Sequence, residues 1–90
     1  MARLTRYDLP EFITFPGGFV IAIKRVTPAE MKTLAGEGQV CDGLWMVDDL
    51  TIYIVRGISK KRAAYVALHE LVHCCHDLAH ALVNKGYGRA

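Results

Sequence analysis

The sequence predicts an α+β domain in which a small, mainly antiparallel sheet of three or four strands packs on a long C-terminal helix. Three observations carry that expectation. Short apolar runs of strand length fill the first two thirds of the chain and are punctuated by Pro, Gly and Asp turn signals. From Ile58 to Lys85 there is neither Gly nor Pro, and apolar residues recur at helical spacing. The chain has 90 residues, 52% hydrophobic and 22% charged, which suits one domain over residues 1–90 with a modest core.

Residues 1–10 read as a poorly ordered lead-in. Phe12-Ile13-Thr14-Phe15 is apolar, and Pro16-Gly17-Gly18 is a turn. Phe19 to Val26 alternates as a strand, with Phe19, Ile21 and Ile23 on one face. Thr27-Pro28-Ala29-Glu30 is a helix start: Thr27 suits the N-cap, Pro28 the first helical position, and Glu30 completes a capping box. Gly36 and Gly38 stop that short helix. Leu44 to Val47 and Thr51 to Val55 follow as strands, and the Asp48-Asp49 link predicts an antiparallel hairpin. Ser59 can cap the last helix, which runs to about Asn84 with Gly86 as its stop. Lys60-Lys61-Arg62 in its first turn opposes the helix dipole.

The last helix carries two stripes. Ala64, Leu68, Leu71, Cys75, Leu78 and Leu82 have core spacing. His69, His73, His76 and His80, all the histidines of the chain, fall within about 60° of arc on one face. Within that face His69-Glu70-Leu71-Val72-His73 reads His-Glu-x-x-His. Four residues is about one turn, so His69 and His73 can aim two imidazoles at one metal ion, and Glu70 can reach a water at the open position. His76 lies roughly 10 Å along the axis from His69, so a straight helix cannot bring all four to one ion. His76 and His80 form either a second two-histidine site or a partly exposed polar stripe. A third ligand has several candidates: Asp77 if the helix bends, Glu11, Cys41, Asp42, Asp48 or Asp49 from the rest of the chain, His76 or His80, or a residue of a second copy.

The formal charge of +2 does not point to nucleic acid, and the short basic clusters read as solvated surface. The run from Phe19 to Ile23 is too short to cross a membrane. Three cysteines, two of them adjacent, do not make a disulfide framework, so a reducing cytoplasmic setting is expected, with thiols as packing residues and Cys41 alone open as a ligand. Trp45 and Tyr53 read as core aromatics.

Gly43-Leu44-Trp45, then Thr51-Ile52-Tyr53-Ile54, then Ala67 through His73 resembles the core of small zincin metallopeptidases. The resemblance covers about residues 19–80 and is nearest to minigluzincins and to the ImmA/IrrE type of bacteria and phages. It implies a zinc cofactor held by His69 and His73, Glu70 as general base, and a peptide or protein substrate held along the last sheet strand as an edge, Thr51 to Val55. The third ligand of neither related pattern carries over. Gluzincins use a later Glu, and no Glu follows Glu70. Metzincins place Gly and a further ligand where this chain has His76 and Ala79. The expectation is therefore zinc-dependent peptide hydrolysis. A silent binding module of the same fold, or a homo-oligomer bridged by zinc through the histidine stripe, stands as the alternative.

Overall fold

Elements run in the order β1 (Phe12–Thr14), β2 (Val20–Val26), α1 (Pro28–Ala35), β3 (Gly43–Met46), β4 (Thr51–Val55) and α2 (Lys60–Asn84) in the computed structural model. It describes residues 7–36, 38–39 and 41–84. The class is the expected α+β, with four strands in the order β1-β2-β4-β3. Two ladders are antiparallel: β1 with β2, and β3 with β4. The central ladder, β2 with β4, is parallel, pairing Ala22 with Thr51 through Val26 with Val55. That makes the sheet mixed, and it places β4 inside. The expectation that Thr51–Val55 forms an edge is therefore corrected: the edges are β1 and β3.

Both helix starts follow from local chemistry. Thr27 Oγ1 accepts from the Glu30 amide at 3.1 Å, and Glu30 Oε1 accepts from the Thr27 amide at 3.0 Å, closing the capping box. Hydrogen bonding to Thr27, from its amide first and its side chain second, holds the Glu30 carboxyl below its usual range. Gly36 ends α1 at φ 93, a conformation that favours glycine. Ser59 Oγ accepts from the Arg62 amide at 3.0 Å and caps α2. The basic first turn of α2 is answered by acids from elsewhere: Lys60 meets Asp8 and Arg62 meets Asp42, each at 3.1 Å. Asp8 and the half-buried Leu9 thus tie residues 7–10 to the body, which corrects the expected loose lead-in for that part. Residues 1–6 and the Gly86 stop lie outside the described residues.

Two apolar clusters sandwich the sheet. Ile21, Ile23, Ile52 and Ile54 pack against Ala63, Val66, Ala67, Cys74 and Leu78 of α2. On the other face Val26 and Val55 pack against Met31 of α1, with Leu44 and Tyr53 partly buried beside them. The α2 core stripe differs from the one expected. Cys75 is exposed where Cys74 is fully buried, and Leu68 is 66% exposed. The helix is turned by roughly 80° from the orientation its largest apolar residues imply. The small residues Ala63, Ala67 and Cys74 allow α2 to lie close on the isoleucine face. Among the described residues no helix is long and apolar enough to cross a membrane.

Burial pushes the Cys74 thiol up to about 11, and its neighbours Cys75 and Asp77 add to the effect. The unfolded chain ionises this thiol near 9.0, so its contribution to stability is intact below that pH and is lost as pH rises to about 11. Cys74→Ala should flatten the alkaline fall in the urea midpoint over that window, read against wild type by circular dichroism.

Candidate metal centre

The site is built where α2 crosses the start of β3. In the antiparallel β3–β4 ladder the amide of Val55 donates to the Asp42 carbonyl at 2.8 Å. Hydrogen-bonded pairs alternate, so Leu44 and Met46 bond to β4 while Gly43 and Trp45 turn their amides and carbonyls outward along the edge. The side-chain positions of Gly43 and Trp45 share the face that meets α2. A Cβ on Gly43 would overlap Val66 Cγ1 and sit 3.2 Å from Glu70 Cγ. Glycine is what lets the helix reach the strand here. Two residues on, Trp45 Nε1 donates to Asp77 Oδ2 at 2.8 Å, a second tie between edge and helix.

Next to this seam His69 and Glu70 line a cavity of about 240 Å³ together with Cys41, Gly43 and Val66. Glu70 is half-buried, and His69 is exposed. The His69 and His73 rings lie edge to face with centroids 5.1 Å apart, so the two imidazoles stand side by side on the solvent side of α2. His76 and His80 form a separate pair, also with centroids 5.1 Å apart but with the rings tilted at 52°. The larger cavity, about 370 Å³, lies on the α1 side between Met31, Cys41 and Val55, and has no histidine in its wall.

His69 and His73 fit two ligand positions of a zinc ion by residue type, side-by-side placement and access. Among the described residues no group of three or more His, Cys, Asp or Glu able to hold a metal occurs, so those residues bring no third donor to this pair. Several candidate donors are engaged otherwise. Asp77 accepts from Trp45, Asp42 pairs with Arg62, and Asp49 accepts from the Tyr53 hydroxyl at 2.9 Å. Glu11 lies beside β1, at the opposite edge of the sheet, and Asp48 lies exposed in the β3–β4 turn. Cys41 does wall the cavity, where burial and then the charges of Glu70 and Asp42 push its pKa up.

Two participants escaped the sequence reading. The Trp45–Asp77 bond spans 32 positions, and nothing local announces it. Gly43 carried a signal that was open to reading: a glycine at the head of a strand marks close backbone approach. No family model, curated protein or solved structure matches this chain.

Gly43→Ala should destabilise the fold by about 1–3 kcal/mol, the usual cost of overpacking, because Val66 is β-branched and stiff in a helix. Adding Val66→Ala should recover part of that loss in a double-mutant cycle of urea unfolding. Trp45→Phe should cost about 1 kcal/mol through the lost bond to Asp77. Asp77→Asn, which keeps an acceptor oxygen, should cost less by the same measurement.

Proposed function

We propose that the chain is a zinc-dependent metallopeptidase whose centre is organised by His69, His73 and Glu70. The observation that supports this reading most is the sharing of one cavity wall by His69, Glu70 and Gly43, the first residue of an unpaired sheet edge. An extended peptide pairing with β3 would take main-chain hydrogen bonds from Gly43 and Trp45 and run past the Glu70 carboxylate. The edge strand in this proposal is β3, in place of the β4 edge expected from sequence.

Zinc, when bound, supplies a Lewis acid that acidifies water and polarises a peptide carbonyl. His69 and His73 would hold it through their imidazole nitrogens. Glu70 takes the proton of the attacking water and delivers it to the leaving amine. Its half-buried stem, packed beside Gly43, limits the rotamers from which the carboxylate can work. Trp45 and Asp77 act further out, fixing the edge strand relative to the helix.

A second reading, a binding module of the same fold that performs no hydrolysis, is favoured by one specific observation: the described residues of a single chain bring only two donors together. Both readings give zinc uptake that His73→Ala largely removes. They part at Glu70→Gln, a change that keeps volume and removes the base. For the peptidase, zinc content and thermal stability should hold while turnover of a peptide library drops about 100-fold or more. For the module, wild type shows no turnover. Equal cleavage by wild type and Glu70→Gln would overturn the role of Glu70, and loss of zinc in that variant would make it a ligand instead.

A further inference from the structure

The four histidines are spaced four, three and four residues apart, a pattern that reads the same in both directions along α2. His69 and His73 are centred on Leu71, and His76 and His80 on Leu78. We propose that the metal centre is completed by a second copy of this chain: two α2 helices pack antiparallel about a two-fold axis level with Cys74 and Cys75. That sets His69 and His73 of each copy opposite His76 and His80 of the other. The inference rests on the zinc reading of His69 and His73 given above, and not on hydrolysis.

The outer face of α2 supports this occupant over others. Tyr65, Leu68, Val72 and Val83 are 55%, 66%, 69% and 53% exposed, and with Cys75 and Ala79 they form one stripe at three- and four-residue steps. The register that aligns the histidine pairs also interleaves these stripes. Val72 falls between the levels of Cys75 and Ala79 of the second copy, and Leu68 between those of Ala79 and Val83. A two-fold perpendicular to both helices brings the same flank of each together, so both histidine rows lie on one side of the seam. A parallel pair would leave the rows on opposite sides.

Charge agrees with this pairing. Between Ala63 and Val83 the charged side chains are Glu70 and Asp77, both half-buried toward β3, so like charges do not oppose self-association. Lys61 is exposed on the outward side of α2 and has no partner among the described residues. Antiparallel packing brings it toward the electronegative C-terminal end of the second helix. A strip about 27 Å long and one helix wide hides on the order of 500 Å² per copy, short of a standard stable interface. The metal bridge supplies what area alone does not, so the dimer is expected to need zinc. One imidazole from the second copy leaves a coordination position open, and two close it. In either case the described residues of one chain leave the centre incomplete without that copy.

Complementation tests this directly, using added zinc chloride with zinc per chain and sedimentation mass as readouts. Wild type should bind about one zinc per chain as a dimer. His69→Ala/His73→Ala and His76→Ala/His80→Ala should each lose zinc and dimerisation, while circular dichroism shows both folded, as expected for exposed positions. Mixed in equal amounts they should recover about one zinc per two chains, because the mixed dimer keeps one whole centre. In the zinc-bound wild type a short bismaleimide should join Cys75 to Cys75, and Cys75→Ser should abolish the product. Zinc held by monomers, with no gain on mixing, would overturn the shared centre and leave the single-chain reading standing. A zinc dimer that does not cross-link at Cys75 would overturn the antiparallel register. A folded wild type that takes up no zinc would remove the metal reading itself.

Discussion

The approach of α2 to β3 governs the rest of the structure. A helix lies that close to a strand only where side chains are absent or small, and Gly43 supplies the absence while Val66 fills it. From that contact follow the half-burial of Glu70, the reach of Asp77 to the Trp45 indole, and the position of the cavity at the mouth of the edge strand. Asp42, one residue earlier, grips Arg62 and fixes the first turn of the same helix. One end of β3 is thereby fastened to α2 at three successive levels, and the outward backbone groups of the edge are held beside the carboxylate.

The rotation of α2 divides its surface into three faces with different work. Small residues and Cys74 face the isoleucines of the sheet. Glu70 and Asp77 lie on the flank toward β3, the Glu70 stem beside Gly43 and the Asp77 carboxylate bonded to the Trp45 indole. The remaining arc bears the histidines and the exposed stripe of Tyr65, Leu68, Val72 and Val83. Large apolar residues on the solvent side are unusual in quantity on one helix, and a soluble monomer gains nothing from them. They share the solvent side of this helix with a symmetric pattern of histidines.

Much of the fold was legible because it is locally encoded. The capping box at Thr27, the Ser59 cap, the Asp-rich hairpin turn and the strand over Thr51–Val55 all depend on residues within a few positions of each other. Strand order is not local. That β4 would enter between β2 and β3 depends on a parallel pairing between residues about 29 positions apart, as Ala22 with Thr51. The helix orientation misled for a physical reason. Periodicity weights large side chains, while this interface selects small ones, so Cys74 was passed over for Cys75 and Ala67 for Leu68. At the site, the His69, Glu70 and His73 pattern could be read from spacing alone. What surrounds it, Gly43, Asp42 and Trp45, arrives from another part of the chain.

The mixed sheet also bears on how the chain assembles. Each antiparallel ladder joins neighbours in sequence and can close over a short loop, β1 to β2 through residues 15–19 and β3 to β4 through residues 47–50. The parallel ladder joins the two hairpins, and it requires α1 and β3 to be looped out first. Loop closure makes that junction the entropically costly step. Of the three ladders, the one along β2 and β4 therefore carries the largest loop-closure cost. Ile21 and Ile23 come from one hairpin and Ile52 and Ile54 from the other, so the face on which the histidine-bearing helix packs is complete only once β2 and β4 have joined.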